Sequence, residues 1–255
     1  MSGPLDAFRL DGRVVVVTGA SSGLGLGFAR AVAAVGGTLV LGARRVDRLQ
    51  QLAEELREAG TTVLVQAVDV TVPEQCQALA DAAVADFGRV DVLVNNAGLG
   101  GSVPALRDTP DSFRQIVDVN LHGTFWMAQA CARVMPAGSS IVNVASVHGV
   151  VASRYPGASY AASKAGVIGL TRDLAQQWSR RKGIRVNALC PGYVATEMTA
   201  HGEDNLRAMV AEHSLLGRFA EQSEVDGALL FLASPASSYV TGTTLLVDGG
   251  LAATI

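Results

Sequence analysis

The sequence predicts an α/β fold: a Rossmann-like, doubly wound sheet of about seven parallel strands with helices on both faces. Three observations predict it. Strand and helix patterns alternate from end to end, which builds βαβ units and a parallel sheet. The strand-like runs are almost wholly apolar, as strands covered on both faces must be. No linker, repeat or low-complexity tract breaks the 255 residues, so one domain spanning residues 1–255 accounts for the chain.

The elements follow in order. Arg13–Thr18 is a β-branched run. A glycine-rich turn and an Ala-rich helix, about Gly23 to Val35, come next, then a strand over Thr38–Leu41. Arg45–Ala59 reads as an amphipathic helix with Val46, Leu49, Leu52, Ala53 and Leu56 on one face, stopped by Gly60. Thr62–Val68 is a strand. Pro73 opens a helix that runs to about Phe87 and ends at Gly88. Val90–Val94 is a strand, Pro110–Val134 a long helix, Ser140–Val144 a strand and Ala158–Arg181 a second long helix. Ile184–Ala188 is a strand, Gln222–Leu232 a helix and Thr243–Val247 a last strand. Gly192–Arg218 is the exception: long and weakly periodic, it reads as an irregular insertion that could serve as a substrate lid.

Composition excludes several classes of function. Hydrophobic residues make up 49% and charged residues 17%, enough apolar material for a sizeable core. A net charge of −3 lacks the basic excess of a nucleic-acid binder. The sequence has no signal-peptide pattern and no apolar run long enough to span a membrane, so the expected setting is cytoplasmic. Cys76, Cys131 and Cys190 are odd in number and far apart, and the four histidines are scattered. The cysteines read as reduced thiols, and no metal site is expected.

Two motifs carry chemistry. Thr18-Gly19-Ala20-Ser21-Ser22-Gly23-Leu24-Gly25 follows the first strand and opens the first helix. In that context glycines let the backbone approach a pyrophosphate, and the helix N-terminus supplies N–H donors, so the turn predicts dinucleotide binding. Tyr160 and Lys164 are four residues apart on the second long helix, hence on one face. A phenol has an ordinary pKa of about 10. An ammonium beside it favours the phenolate, and such a tyrosine can exchange a proton with an alcohol or ketone.

The turn is spaced Thr-Gly-x-x-x-Gly-x-Gly. With Asn95-Asn96-Ala97-Gly98, Asn120, Ser146, Tyr160-x-x-x-Lys164 and Pro191-Gly192 in that order, the chain resembles the short-chain dehydrogenase/reductase family over essentially its whole length. The resemblance implies a catalytic set of Asn120, Ser146, Tyr160 and Lys164. Tyr160 would donate or accept the proton. Lys164 would lower the Tyr160 pKa and bind the nicotinamide ribose. Ser146 would hold the substrate oxygen, and Asn120 would bind the helix backbone and hold a water leading to Lys164. The gap from Ser146 to Tyr160 is one residue longer than the family's commonest spacing.

The cofactor would lie on Gly19, Ser21, Ser22, Gly23, Leu24 and Gly25, and then on Asp69 and Val70 near the adenine. Asn96, Ala97, Gly98, Tyr160, Lys164, Pro191, Gly192, Val194 and Thr196 complete the set. At the end of the second strand, Ala43 stands where an acidic residue would bind the ribose of NAD, and Arg44 and Arg45 follow. A guanidinium suits a 2′-phosphate, so the expected cofactor is NADP, with NAD the alternative.

The expected substrate is a small carbonyl compound or alcohol, with Leu99, Val103, His148, Val151, Tyr155, Tyr193 and Met198 around the mouth of the site. A 3-oxoacyl-thioester reductase and a sugar-acid or polyol dehydrogenase both stay open. Arg180, Arg181 and Lys182 suit either an acidic carrier protein or the helix C-terminus they occupy. A nucleotide-binding sensor without turnover is the rival of another class; such relatives usually lose the Tyr or the Lys. The resemblance further implies a homotetramer built on Pro110–Val134, Ala158–Arg181 and Thr243–Val247.

Overall fold

The computed structural model describes residues 3–152, 155–195 and 203–254. Strands β1 (Val14–Thr18), β2 (Thr38–Ala43), β3 (Val63–Ala67), β4 (Val92–Asn95), β5 (Ser140–Val144), β6 (Arg185–Pro191) and β7 (Thr244–Val247) form one sheet. Its order is β3-β2-β1-β4-β5-β6-β7, and every pairing is parallel. Between β3 and β4 the chain crosses from one edge back to the middle. That reversal opens a crevice at the carboxyl ends of β1 and β4, where sheets of this kind bind their ligands.

Alternation along β1 explains the two layers. Val15 and Val17 pack with Phe28 and Val32 of α1 (Gly23–Ala34) and with Leu49 and Leu52 of α2 (Val46–Glu58). Val14 and Val16 face the other way, against Leu79 of α3 (Pro73–Phe87) and the partners of that helix. All four valines are buried, each contributing about 1.5–3 kcal/mol on burial. The second face is completed by Met127 of α5 (Gly123–Val134), which continues from α4 (Pro110–Val117), and by Leu174 of α6 (Ala158–Lys182).

Glycine in the left-handed region ends α3 at Gly88 (φ 78°) and α6 at Gly183 (φ 70°). Lys182 Nζ, at the basic end of α6, donates to the Ala132 carbonyl at 2.5 Å and so serves the fold.

The structure changes two expectations. The helix over Pro110–Val134 is not uniform: Asp118–His122 forms a wider π-type turn, in which the Gly123 N–H reaches back to the Asp118 carbonyl. Asn120 sits in this turn with its side chain drawn inward.

The stretch expected to be irregular contains α7 (Glu203–His213), followed by α8 (Gln222–Ala233). Leu206, Met209, Val210 and His213 recur at helical spacing and are the less exposed residues over 205–213. Only Val210 of these is fully buried, which is why the period is faint. The middle of the expected lid, 196–202, lies outside the described residues.

Candidate active site

A cleft of about 510 Å³ runs along the carboxyl ends of the central strands. It is lined by Gly19, Ser21, Ser22, Gly23, Leu24, Arg44, Arg45, Asp69, Val70, Asn96, Ala97, Gly98, Ser146, Tyr160, Lys164, Pro191, Gly192 and Val194. Gly42, Ala43, Val68, Leu99, Val119, Val144 and Ala145 also line it. Of the residues expected to form the site, Gly25 and Asn120 stand behind this wall, and Thr196 lies outside the described residues.

The glycine turn is held in place by the strand beside it. Thr18 Oγ1 accepts from the N–H groups of Asn96 and Ala97, both at 3.1 Å. Asn96 Nδ2 donates back to the carbonyls of Thr18 at 3.0 Å and Gly19 at 3.2 Å. Asn96 therefore braces the turn. Gly19 has φ +67°, and a Cβ there would come within 2.8 Å of Ala97 Cα. Gly25 packs against the Gly19 carbonyl with no room for a side chain.

At the start of α1, Ser22 makes no side-chain cap, which leaves the first N–H groups without a side-chain acceptor. Arg45 Nη2 instead reaches Ser21 Oγ at 3.1 Å and Ser22 Oγ at 2.7 Å, a tie that sequence reading missed. The signal was available only as two serines and an arginine 23 and 24 residues apart. Across the cleft, Asp69 Oδ1 accepts from the Thr71 N–H at 3.0 Å and the Thr71 hydroxyl at 2.7 Å. These bonds, with a smaller contribution from the Arg44 charge, hold its carboxyl below the usual range.

At the other end, Ser146 follows β5 and caps a short 3₁₀ turn, Val147–Gly149, accepting from the His148 N–H at 3.2 Å. Ser146 and Tyr160 both line the cleft, and the Ser146 hydroxyl acts to lower the Tyr160 pKa. Lys164 Nζ is buried, donates to the Val144 carbonyl at 2.8 Å and lies 5.7 Å from the centre of the Tyr160 ring. Burial lowers its pKa to about 8.

The expectation that the ammonium depresses the Tyr160 pKa is not met in the protein alone. Burial raises the phenol above its ordinary value, and the Ser146 hydroxyl opposes the rise. The ammonium donates to the Val144 carbonyl, and desolvation is the largest influence on the phenol.

Asn120 is wholly buried. Its Oδ1 accepts from the Leu99 N–H at 2.7 Å, and its Nδ2 donates to the Leu99 carbonyl at 2.9 Å and to Ser163 Oγ at 3.1 Å. It was expected to bind helix backbone. Its side chain instead joins the loop after β4 to the helix that carries Tyr160 and Lys164.

Gly149, also missed, lets the 3₁₀ turn lie on that helix: a Cβ there would come within 2.7 Å of the Lys164 carbonyl carbon. No sequence pattern marks this glycine, because its neighbour comes from another element.

Around the mouth, Leu99 lines the cleft, while His148, Val103, Val151, Tyr155 and Tyr193 are half-buried beyond the lining. Met198 lies outside the described residues. Cys190 is buried at the end of β6, and burial raises its thiol to about 11; it is free, as are Cys76 and Cys131.

The donor set fits a dinucleotide. Backbone N–H groups, two hydroxyls and guanidinium groups suit phosphates, and the glycine contacts leave room for a pyrophosphate against the main chain. A parallel sheet with this cleft at its reversal point, and a buried lysine beside a tyrosine and a serine, defines a nicotinamide-dependent oxidoreductase.

Comparison with known proteins narrows the class. A family model described as enoyl-(acyl carrier protein) reductase matches residues 19–252. Galactitol 2-dehydrogenase (L-tagatose-forming) of Cereibacter sphaeroides is 46% identical over 248 residues, 95% of this chain and 96% of that protein. The 3-oxoacyl-[acyl-carrier-protein] reductase FabG of Thermotoga maritima is 39% identical over 95% of this chain and 99% of its own length. The crystal structure of a gluconate 5-dehydrogenase from Burkholderia cenocepacia, in complex with NADP and tartrate, superposes with a TM-score of 0.93. It is 36% identical and covers 99% of this chain and 100% of its own.

The chain belongs to the short-chain dehydrogenase/reductase family. It is an NAD(P)-dependent oxidoreductase that interconverts a ketone and a secondary alcohol.

Proposed function

We propose that the enzyme prefers NADP(H) and that Tyr160 exchanges the proton of the reaction. The observation that carries the reading is Ser146 and Tyr160 together in the cleft lining, with buried Lys164 one helical turn from Tyr160. When bound, the nicotinamide supplies the hydride acceptor or donor.

In reduction, Tyr160 Oη gives its proton to the carbonyl oxygen while Ser146 Oγ donates a hydrogen bond to the same oxygen. In oxidation the phenolate takes the hydroxyl proton back. A raised phenol pKa keeps that proton in place at neutral pH, ready for donation. Lys164, with a pKa of about 8, can release and regain a proton close to neutrality. Asn120 is a positioning residue that sets the Leu99 loop against the helix bearing Tyr160.

Gly19, Ser21, Ser22 and the first N–H groups of α1 would hold the pyrophosphate, Asp69 and Val70 the adenine side, and Lys164 the ribose next to the nicotinamide. The NADP preference is supported by Ala43, which presents no carboxylate, beside Arg44 and the Arg45–Ser21–Ser22 cluster.

Two narrower substrate readings have support. Identity of 46% to a galactitol dehydrogenase favours a polyol or sugar acid; 39% to FabG favours a 3-oxoacyl thioester. The test is oxidation of NADPH and of NADH, measured separately, over keto-sugars, β-keto thioesters and cyclic ketones. Faster turnover with NADH overturns the preference, and absence of turnover throughout overturns the enzyme reading.

A homotetramer is supported by the outer position of β7, with Leu246 exposed, and by exposed Phe113 on α4. A monomer by light scattering would refute it. Three free thiols favour a reducing, cytoplasmic setting.

A further inference from the structure

We infer that His148 and Tyr193 form a hydroxyl-recognising subsite beside the reacting centre, so that the enzyme selects substrates with a second hydroxyl next to the carbon it oxidises or reduces. The inference deepens the ketone–alcohol reading and rests on it.

Four observations carry it. First, His148 is tied to the centre. Its backbone N–H donates to Ser146 Oγ at 3.2 Å, and its ring stands edge-on to Tyr160, with centroids 6.1 Å apart and planes at 87°. A substrate oxygen between Ser146 and Tyr160 would therefore bring its neighbouring carbon towards His148. Second, the imidazole is paired: Nε2 meets Tyr193 Oη at 3.0 Å, and Tyr193 follows Pro191 and Gly192, which line the cleft.

Third, the pair is half-buried, and burial lowers the His148 pKa, which favours the uncharged imidazole. Nδ1 makes no hydrogen bond among the described residues. Fourth, the wall behind is fixed by stacking. The Tyr193 ring lies on Phe219 at 6.0 Å and 25°, and the Arg207 guanidinium covers Phe219 at 5.3 Å.

The chemistry selects the ligand. A neutral imidazole joined to a phenol offers both a donor and an acceptor, which matches a hydroxyl, itself both. A carboxylate would call for a cation. A methylene chain packed against the pair would desolvate polar atoms without pairing them, at about 1–3 kcal/mol. A site built to bond a hydroxyl discriminates strongly against the analogue that lacks it.

The experiment measures kcat/KM for 3-hydroxybutan-2-one and for butan-2-one with each cofactor. It compares the wild type with Tyr193→Phe, His148→Phe and His148→Gln. The two phenylalanine variants keep a ring in place, and a thermal melt verifies folding. The wild type should favour the hydroxy-ketone by about tenfold to a hundredfold. The ratio should fall towards one in both phenylalanine variants, chiefly through KM. His148→Gln, which keeps a donor and an acceptor, should retain part of it.

Intrinsic reactivity differences cancel when ratios are compared between variants. A ratio unchanged in both phenylalanine variants, or a wild type that does not favour the hydroxy-ketone, overturns the subsite while leaving the oxidoreductase intact. Wild type that turns over neither ketone overturns the ketone–alcohol reading, and the subsite falls with it.

Discussion

The two ends of the cleft are held by different kinds of contact. At the cofactor end the main chain does most of the holding. Thr18 and Asn96 bond backbone groups of the neighbouring strand and turn, and Gly19 lies against Ala97 Cα. At the substrate end, side chains meet side chains: His148 edge-on to Tyr160, His148 bonded to Tyr193, Tyr193 on Phe219. A backbone cradle serves every dinucleotide alike and tolerates little change. A side-chain wall can be rewritten one residue at a time without disturbing the sheet.

The sharpest way to break this contrast is Tyr160→Phe. Turnover should fall by about 10²–10⁴-fold, with the NADPH dissociation constant little changed by fluorescence titration. Surviving turnover would mean that another group moves the proton.

A pair of alanines tests the contrast from both sides. Gly19→Ala, at φ +67° and against a backbone atom, should weaken NADPH binding by roughly tenfold or more. Gly149→Ala should push the Ser146 turn off the backbone at Lys164 and cut kcat by about tenfold, while NADPH affinity stays close to wild type. If the two alanines had the same profile, the ends would not be separable.

Ala43→Asp combined with Arg44→Ser should shift the kcat/KM ratio towards NADH by about tenfold. An unchanged ratio would leave Arg45 with Ser21 and Ser22 as the reader of the 2′-phosphate.

The smallest effect is in pH. Reduction needs the Tyr160 proton, which burial retains beyond its ordinary range, and the Lys164 charge, which is present below about 8 and lost above it. Reductive kcat/KM should therefore decline severalfold as pH rises through about 8. A flat profile to pH 10 would show that Lys164 stays charged in the working enzyme.

Much of the site was legible because its requirements are local. The glycine turn is a strand, a bend and a helix start within one short stretch, and Tyr160 and Lys164 share a helical face by spacing alone. What the sequence left out depends on contacts between distant segments. Arg45 reaches back to Ser21 and Ser22, Gly149 accommodates the helix at Lys164, and Asn120 turns inward from a π-type turn to the Leu99 loop. Helix α7 was missed for a related reason: with Val210 its single fully buried residue among those described, its apolar period is weak.

Alternation of apolar runs and helical faces determined a parallel sheet, since each element must bury its apolar side, and the order of small motifs along the chain determined the family. Which way the lysine ammonium points was decided only in three dimensions. The sequence put a charge one turn from a phenol. The fold gave that charge the Val144 carbonyl and sealed both groups from water, so desolvation, not attraction, sets the Tyr160 pKa in the protein alone. Spacing along a helix specifies proximity; burial and the direction of a hydrogen bond depend on every element packed around it.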